Sequence, residues 1–314
     1  MSARRKPKRA SGSTDSRRSR DRGAPKAIPI AELGRAGDAG ALAHYRDPAY
    51  YHKTYASRRH DVDHYVNLAL AAGGPVLEYG VGNGRVAIPI ARAGVEVCGV
   101  DLSRPMLAHL AERLAQEPEA VRTRVRARHG DMRAVRLNRR FPLVIAPFNT
   151  LLHLYDRSDF EQLLARVREH LAPGGRFVFD VSIPQPADLA RDPRRRYGAP
   201  RIRHPTTGEL VRYAERFEYD PMRQLLLVTI EFSPEQGPSF SVPLTHRQFY
   251  PAEIEALLHY NGFSEVVFRA DFTDCPPDAE VDSLVVSARA LASSRSRANP
   301  RPTLRRTRGA LKFS

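Results

Sequence analysis

Between residues 75 and 182, short apolar runs alternate with stretches whose apolar positions recur at helical spacing. Val76 and Leu77 open the series. A glycine turn, the helical stretch Val86 to Ala93 and a second apolar run from Val95 to Asp101 follow. Pro89 inside that helical stretch removes a backbone donor and predicts a kink in its first turns. The next helix takes Ser103 as N-cap and Pro105 in its first turn, and carries Met106, Leu107, Leu110 and Leu114 on one face. Val125 to Asp131 and Phe141 to Leu154 read as the third and fourth strands with their exits. Ser158 and Glu161 have capping-box spacing for a helix bearing Phe160, Leu163, Leu164, Val167 and Leu171. Pro173-Gly174-Gly175 ends that helix, and Arg176 to Val181 makes a fifth strand. Such alternation predicts an α/β fold with a parallel sheet and right-handed crossovers.

The pattern differs on either side of this block. Residues 45 to 72 read as helical, with Tyr50, Tyr51, Tyr55 and Tyr65 among Arg58, Arg59 and Asp61. Leu210 to Tyr219 and Gln224 to Phe232 alternate like strands joined at Asp220-Pro221, and Ser241 to Phe249 is a third candidate. These predict an antiparallel β insertion. Pro251 to Gly262 then reads as a helix with proline at its start and glycine after its end, and Phe263 to Phe272 and Asp282 to Ala288 as a closing hairpin at the sheet edge.

The chemistry gathers at Pro75 to Asp101. Gly80, Gly82 and Gly84 alternate directly after an apolar run, and a turn of such residues lets a ligand lie against the peptide. Asp101 ends the second apolar run about 20 residues on, where nucleotide-binding folds hold ribose hydroxyls. The spacing is not that of a dinucleotide fingerprint, because Arg85 stands where its third glycine belongs. An adenosine-containing cofactor other than NAD or FAD follows.

The stretch Glu78-Tyr79-Gly80-Val81-Gly82-Asn83-Gly84-Arg85 resembles motif I of class I S-adenosylmethionine-dependent methyltransferases. Asp101-Leu102-Ser103-Arg104-Pro105-Met106-Leu107, Gly130-Asp131-Met132 and Leu171-Ala172-Pro173-Gly174-Gly175 are similar to that family's next three signatures, in the same order. The resemblance covers roughly residues 45 to 290. It implies a Rossmann-like class I methyltransferase fold, with a mostly parallel seven-stranded sheet flanked by helices and an antiparallel β insertion. It divides the chain into a helical cap at 27–72, an S-adenosylmethionine-binding core at 73–182, an acceptor lid at 183–248 and the end of the core at 249–290.

The site residues follow from the resemblance. Gly80, Gly82 and Gly84 would lie under the methionine part of S-adenosylmethionine, with Glu78 near it or ordering the turn. Asp101 would accept the ribose hydroxyls, Asp131 the adenine amino group, and Met132 would donate its N–H to the ring. Leu102, Met106 and Pro147 complete the cofactor wall. Tyr55 and Arg59, four apart and able to share a helical face, would reach the methionine carboxylate or the substrate. Asn149 and His153, beyond the fourth strand, are candidates for orienting the acceptor or acting as general base; packing among Leu151, Leu152 and Leu154 is the plainer role for His153. No metal is implied. The amino-methylating [DN]-P-P-[YF] pattern and a Pro-Cys nucleophile are both absent, which weakens a base-modifying reading.

Charge changes the picture little. The formal net charge is +15, but residues 1–26 and 291–314 account for all of it and 27–290 are formally neutral. The two Arg/Ser/Pro-rich ends predict disordered basic tails, either solubilising or able to touch nucleic acid. A small-molecule N or O acceptor is the leading function. A methyltransferase of RNA or protein recruited by the tails, and a noncatalytic nucleotide- or nucleic-acid-binding module, are the alternatives. No apolar stretch of membrane-spanning length occurs. A cytoplasmic protein without membrane contact is expected. Cys98 and Cys275 cannot form a disulfide framework.

Overall fold

Val76–Tyr79 (β1) is buried at every position, as a central strand covered on both faces must be. Alternate residues serve opposite layers. Leu77 and Tyr79 join one apolar cluster, and Val76 joins the other. The computed structural model describes residues 42–291; residues 1–26 and, beyond Leu291, the C-terminal segment, both read as basic tails, lie outside the described residues.

The helices Pro48–Tyr55 (α1) and His60–Ala72 (α2) precede β1. Ala87–Arg92 (α3), Val97–Asp101 (β2), Arg104–Ala115 (α4), Glu119–Arg122 (α5), Val125–His129 (β3) and Phe141–Ala146 (β4) follow it. Then come Arg157–His170 (α6), Leu171–Ser182 (β5) and the short Pro186–Leu189 (α7). Tyr197–Arg203 (β6), Leu210–Asp220 (β7), Leu225–Pro234 (β8) and Phe240–Arg247 (β9) form a separate antiparallel sheet. Pro251–Tyr260 (α8), Phe263–Ala270 (β10) and Ser283–Ala290 (β11) close the chain.

The main sheet has seven strands in the order β10-β11-β5-β4-β1-β2-β3. β1 pairs in parallel with both β2 and β4, so the chain reverses its direction of travel across the sheet between β1 and β4. In open α/β sheets ligands bind beyond the carboxyl ends of the strands at such a point. One apolar layer takes Phe160, Leu163 and Val167 of α6 with Ile254 and Leu258 of α8. The other takes Val62, Tyr65 and Ala69 of α2 with Ile88 and Ile90 of α3.

Several elements differ from the pattern in the sequence. Residues 45 to 72 are two helices, broken at Ala56 to Arg59, so Tyr55 and Arg59 share no helical face. Pro89 falls in the first turn of a six-residue helix rather than within a longer one, where a missing donor matters least. Helix α6 starts two residues early, with Asp156 at the N-cap. Ser158 is therefore inside it, and Glu161 pairs with Arg157 at 2.6 Å instead of closing a capping box. The insertion has four strands, β6 being the one the sequence hides. The closing hairpin does stand at the sheet edge as expected, with β10 outermost and β11 antiparallel to both β10 and β5. Ser103 caps α4 as its position predicts, its Oγ accepting from Met106 N at 3.4 Å.

Candidate active site

Gly80 carries the chain out of β1 with φ +69°, and its N–H donates to Val100 O at 2.8 Å. A Cβ there would stand 2.6 Å from Thr150 Oγ1; only glycine leaves both the turn and its neighbour in place. At the end of β2, Asp101 Oδ2 accepts from Gly82 N and Oδ1 from Ser103 N, each at 2.7 Å. The carboxylate thus binds the glycine turn to the start of α4. Burial pushes its pKa up, and the Ser103 and Gly82 amides oppose that shift.

Glu78 lies beneath this turn, 2 % exposed, and its Oε2 has no hydrogen-bond partner. Burial pushes it well above the usual carboxylate range, with Arg85 opposing and Asp101 adding to the rise. A buried acid without a partner is costly unless a ligand completes it. Gly130 and Asp131 follow β3. Burial raises Asp131, but the Arg133 guanidinium and backbone N–H outweigh this and hold it below its ordinary value. Arg133 Nη2 reaches Asp131 Oδ2 at 2.7 Å while its Nη1 reaches Asp159 at 3.1 Å.

Beyond β4 the chain makes a tight turn in which Phe148 and Asn149 both have positive φ, 57° and 62°. Asp180 of β5 holds it: Oδ1 accepts from Phe148 N at 2.7 Å and from Tyr65 Oη at 2.6 Å. The turn aims Phe148 at the cap. Arg85 lies 4.5 Å above its ring and is anchored on Asp61 by two hydrogen bonds, at 3.0 and 2.6 Å. Tyr51 and Tyr55 meet the same ring edge-on, at 6.2 and 4.9 Å between centroids. At the far wall the Tyr45 hydroxyl is 2.8 Å from His153 Nε2, and the His246 ring of β9 lies 5.1 Å from that of His153. Burial lowers His153 to about 4, with His44 adding to the effect.

One cleft joins Glu78, the glycine turn, Asp101, Asp131, Arg85, Phe148 and the Tyr45–His153 pair. Of the residues read from the sequence, Glu78, Gly80, Gly82, Asp101, Leu102, Met106, Asp131, Met132, Pro147 and His153 line it. Four do not. Gly84 (φ +77°) faces α4, where a Cβ would be 2.4 Å from Leu110 Cδ1, so it serves packing. Asn149 is spent on β5, donating to Ser182 Oγ at 3.0 Å and accepting from Ser182 N at 2.7 Å. Tyr55 stands behind Tyr51 and Phe148, and Arg59 is an exposed residue at the start of α2. Their places are taken by Tyr51 and Tyr45 in the cap and by Arg85, which follows the last glycine. Phe148 and Arg133 also line the cleft. The tyrosine-rich cap was a visible signal; which tyrosine faces inward depends on the break at Ala56 to Arg59. Among the described residues no group of three or more His, Cys, Asp or Glu is placed to hold a metal ion.

These residues fit an adenosyl sulfonium. The orphaned Glu78 suits a positive amine, the Asp101 carboxylate a diol, and the aromatic far wall a positively charged methyl donor. A family profile described as "Methyltransferase domain" matches residues 76–175. The CcbJ methyltransferase of Streptomyces caelestis is similar over 81 % of this chain and 98 % of its own, with 31 % identity and a TM-score of 0.64. The glycopeptide N-methyltransferase MtfA, solved with S-adenosyl-L-methionine, is 27 % identical over 72 % of this chain and 87 % of its own, with a TM-score of 0.51. The dTDP-3-amino-3,4,6-trideoxy-alpha-D-glucopyranose N,N-dimethyltransferase of Streptomyces venezuelae is 29 % identical over 128 residues, 41 % of this chain and 51 % of that protein. The chain spans about half the length of the first three curated relatives it matches.

Proposed function

Because this chain belongs to the class I S-adenosylmethionine-dependent methyltransferase family, we propose that it methylates a nitrogen atom of a small-molecule acceptor. The observation that carries this reading is the single cleft in which an unpartnered Glu78, the strand-end Asp101 and the Tyr45–His153 pair face one another. Choice of nitrogen over oxygen is supported by the names of related proteins, which include N- and N,N-methyltransferases acting on an amino sugar and a glycopeptide.

S-adenosylmethionine supplies a methyl group already activated on a sulfonium, whose C–S electron pair leaves with the sulfur as the new N–C bond forms. The chain's own task is to position and dry the partners, and orientation alone can contribute about 7–11 kcal/mol toward the barrier. Glu78 takes the amino-acid ammonium, Asp101 the ribose hydroxyls, and Asp131, steadied by Arg133, the adenine amino group. Tyr45, held by His153 at 2.8 Å, directs a hydroxyl toward the incoming nitrogen. With its pKa near 4, His153 stays neutral at neutral pH, so it adds no positive charge beside a cationic donor. It is too weak a base to keep the acceptor's proton. The nucleophile therefore arrives as the free amine, and the proton on the methylated product leaves to water. A cytoplasmic setting, where S-adenosylmethionine is made, belongs to the same reading.

The test is transfer of labelled methyl from S-adenosylmethionine into a panel of primary and secondary amines and their hydroxyl analogues. Label should enter amines and be lost in Asp101→Ala. Label entering only hydroxyl analogues would overturn the choice of nitrogen, and failure to bind S-adenosylmethionine at all would overturn the whole reading.

A further inference from the structure

The pairing of β7 with β8 and of β8 with β9 puts Tyr213, Glu215 and Phe217 on one face with Phe232, Ile230, Val228, Val242 and Leu244. On these three strands Glu215 is the only carboxylate of that face. The opposite face shows what an acid in this sheet ordinarily does. There Glu231 is clasped by Arg196 Nε and Arg216 Nε, each at 2.8 Å. Glu215 has no ion pair among the described residues, although the chain is rich in arginine. Its Oε1 accepts from the Tyr213 hydroxyl.

The face is turned to the cap. Tyr50 of α1 meets Phe232 edge-on at 5.6 Å, and the phenols of both Tyr50 and Tyr55 feel the Glu215 charge. Tyr213 in turn feels both of those phenols, and burial together with Glu215 raises it, so it remains a donor. Three phenol rings and an unpaired, half-buried carboxylate thus converge. The notch borders the cofactor cleft, since the Tyr55 ring lies 4.9 Å from those of Tyr51 and Phe148, both of which line it.

We infer that Tyr50, Tyr55, Tyr213 and Glu215 form an acceptor subsite for a positively charged alkylammonium group. Aromatic faces and a half-buried carboxylate attract such a cation together. The inference rests on the methyl-transfer reading, and it narrows the substrate class. The cation sits one aromatic layer away from the transfer point, whereas the attacking nitrogen must keep a free lone pair. The acceptor therefore carries two nitrogens, one held as an ammonium at Glu215 and the other methylated beside Tyr45.

The experiment titrates the full chain, saturated with S-adenosylhomocysteine, with choline and with its neutral isostere 3,3-dimethylbutan-1-ol, by calorimetry. Choline should bind at least about tenfold more tightly, and added salt should weaken choline alone. Glu215→Gln should abolish the preference and Tyr50→Leu should reduce it, while Glu218→Gln, on the other face, should leave it intact. Equal affinity for the two probes, or a preference that survives Glu215→Gln, overturns the subsite. The S-adenosylhomocysteine heat is measured first on every variant. It reports folding, and its absence in the wild type would overturn methyl transfer while the choline comparison still decides the notch.

Discussion

Glu78 shows how a single residue can report on ligand binding. Burial pushes its pKa well above the ordinary range and so favours its neutral form, and an ammonium placed against it would favour the charged form. S-adenosylhomocysteine binding should therefore release up to about one proton per site. Calorimetry in buffers of different ionisation enthalpy measures this, and Glu78→Gln should remove the buffer dependence; a buffer-independent heat in the wild type would take Glu78 out of the ammonium site. Asn149 behaves oppositely. Its amide makes both of its hydrogen bonds to Ser182 of β5, and at φ 62° it occupies a conformation that asparagine tolerates better than alanine. Asn149→Ala should therefore cost roughly 1–3 kcal/mol of stability and leave cofactor affinity unchanged, as denaturant unfolding and calorimetry would register. An undiminished midpoint with collapsed turnover would return Asn149 to the chemistry.

At the scale of elements, the turn after β4 is held by its neighbours. Asp180 accepts from Phe148 N and from Tyr65 Oη, so α2 and β5 together keep a bulky residue at positive φ, a conformation costing about 1–3 kcal/mol. Tyr65→Phe removes one support without emptying the core. Turnover should fall about tenfold through misplacement of Phe148 while S-adenosylhomocysteine affinity changes little; equal loss in both would mean that the turn only shapes the cofactor wall. The legibility of the sequence followed the same division. Gly80, Gly82 and Asp101 were placed on the cleft by a spacing that backbone geometry at strand ends dictates, and Asp131 by the resemblance carried on Gly130-Asp131-Met132. Asp180 could not, because within the apolar run Arg176 to Val181 nothing tells a buried acceptor from an edge acid. Strand β6 was hidden too, its pairing with β7 being irregular between Ala199 and Ile202. Tyr55 was preferred to Tyr51 because the break between α1 and α2 carries neither glycine nor proline, the usual punctuation.

Across the whole molecule, cap, core and insertion meet at three histidines: His44 before α1, His153 beyond β4 and His246 on β9. Burial lowers His44 and His153 to about 4 and His246 well below its ordinary value. An unfolded histidine titrates near 6.5. Below that pH the unfolded chain binds protons that these folded positions refuse, so stability is greatest above about 6.5 and is lost as pH falls toward 4. Each histidine contributes a slope on the order of 1.4 kcal/mol per pH unit inside that window. Glu78, Asp101 and Asp180, whose pKa values burial raises, act in the opposite sense over part of the same range, and Asp131, held low beside Arg133, adds to the acid loss at its lower end. The wild-type slope therefore mixes opposing groups, and the informative quantity is a difference between variants. His246→Gln should flatten the fall in unfolding free energy between pH 6.5 and 4.5 by about one proton, whatever it does to stability at pH 7.5. Parallel curves for the two proteins would mean that His246 is charged in the folded state, and the cap and insertion would then meet across a cation rather than across the dry, neutral junction that keeps positive charge away from the methyl donor.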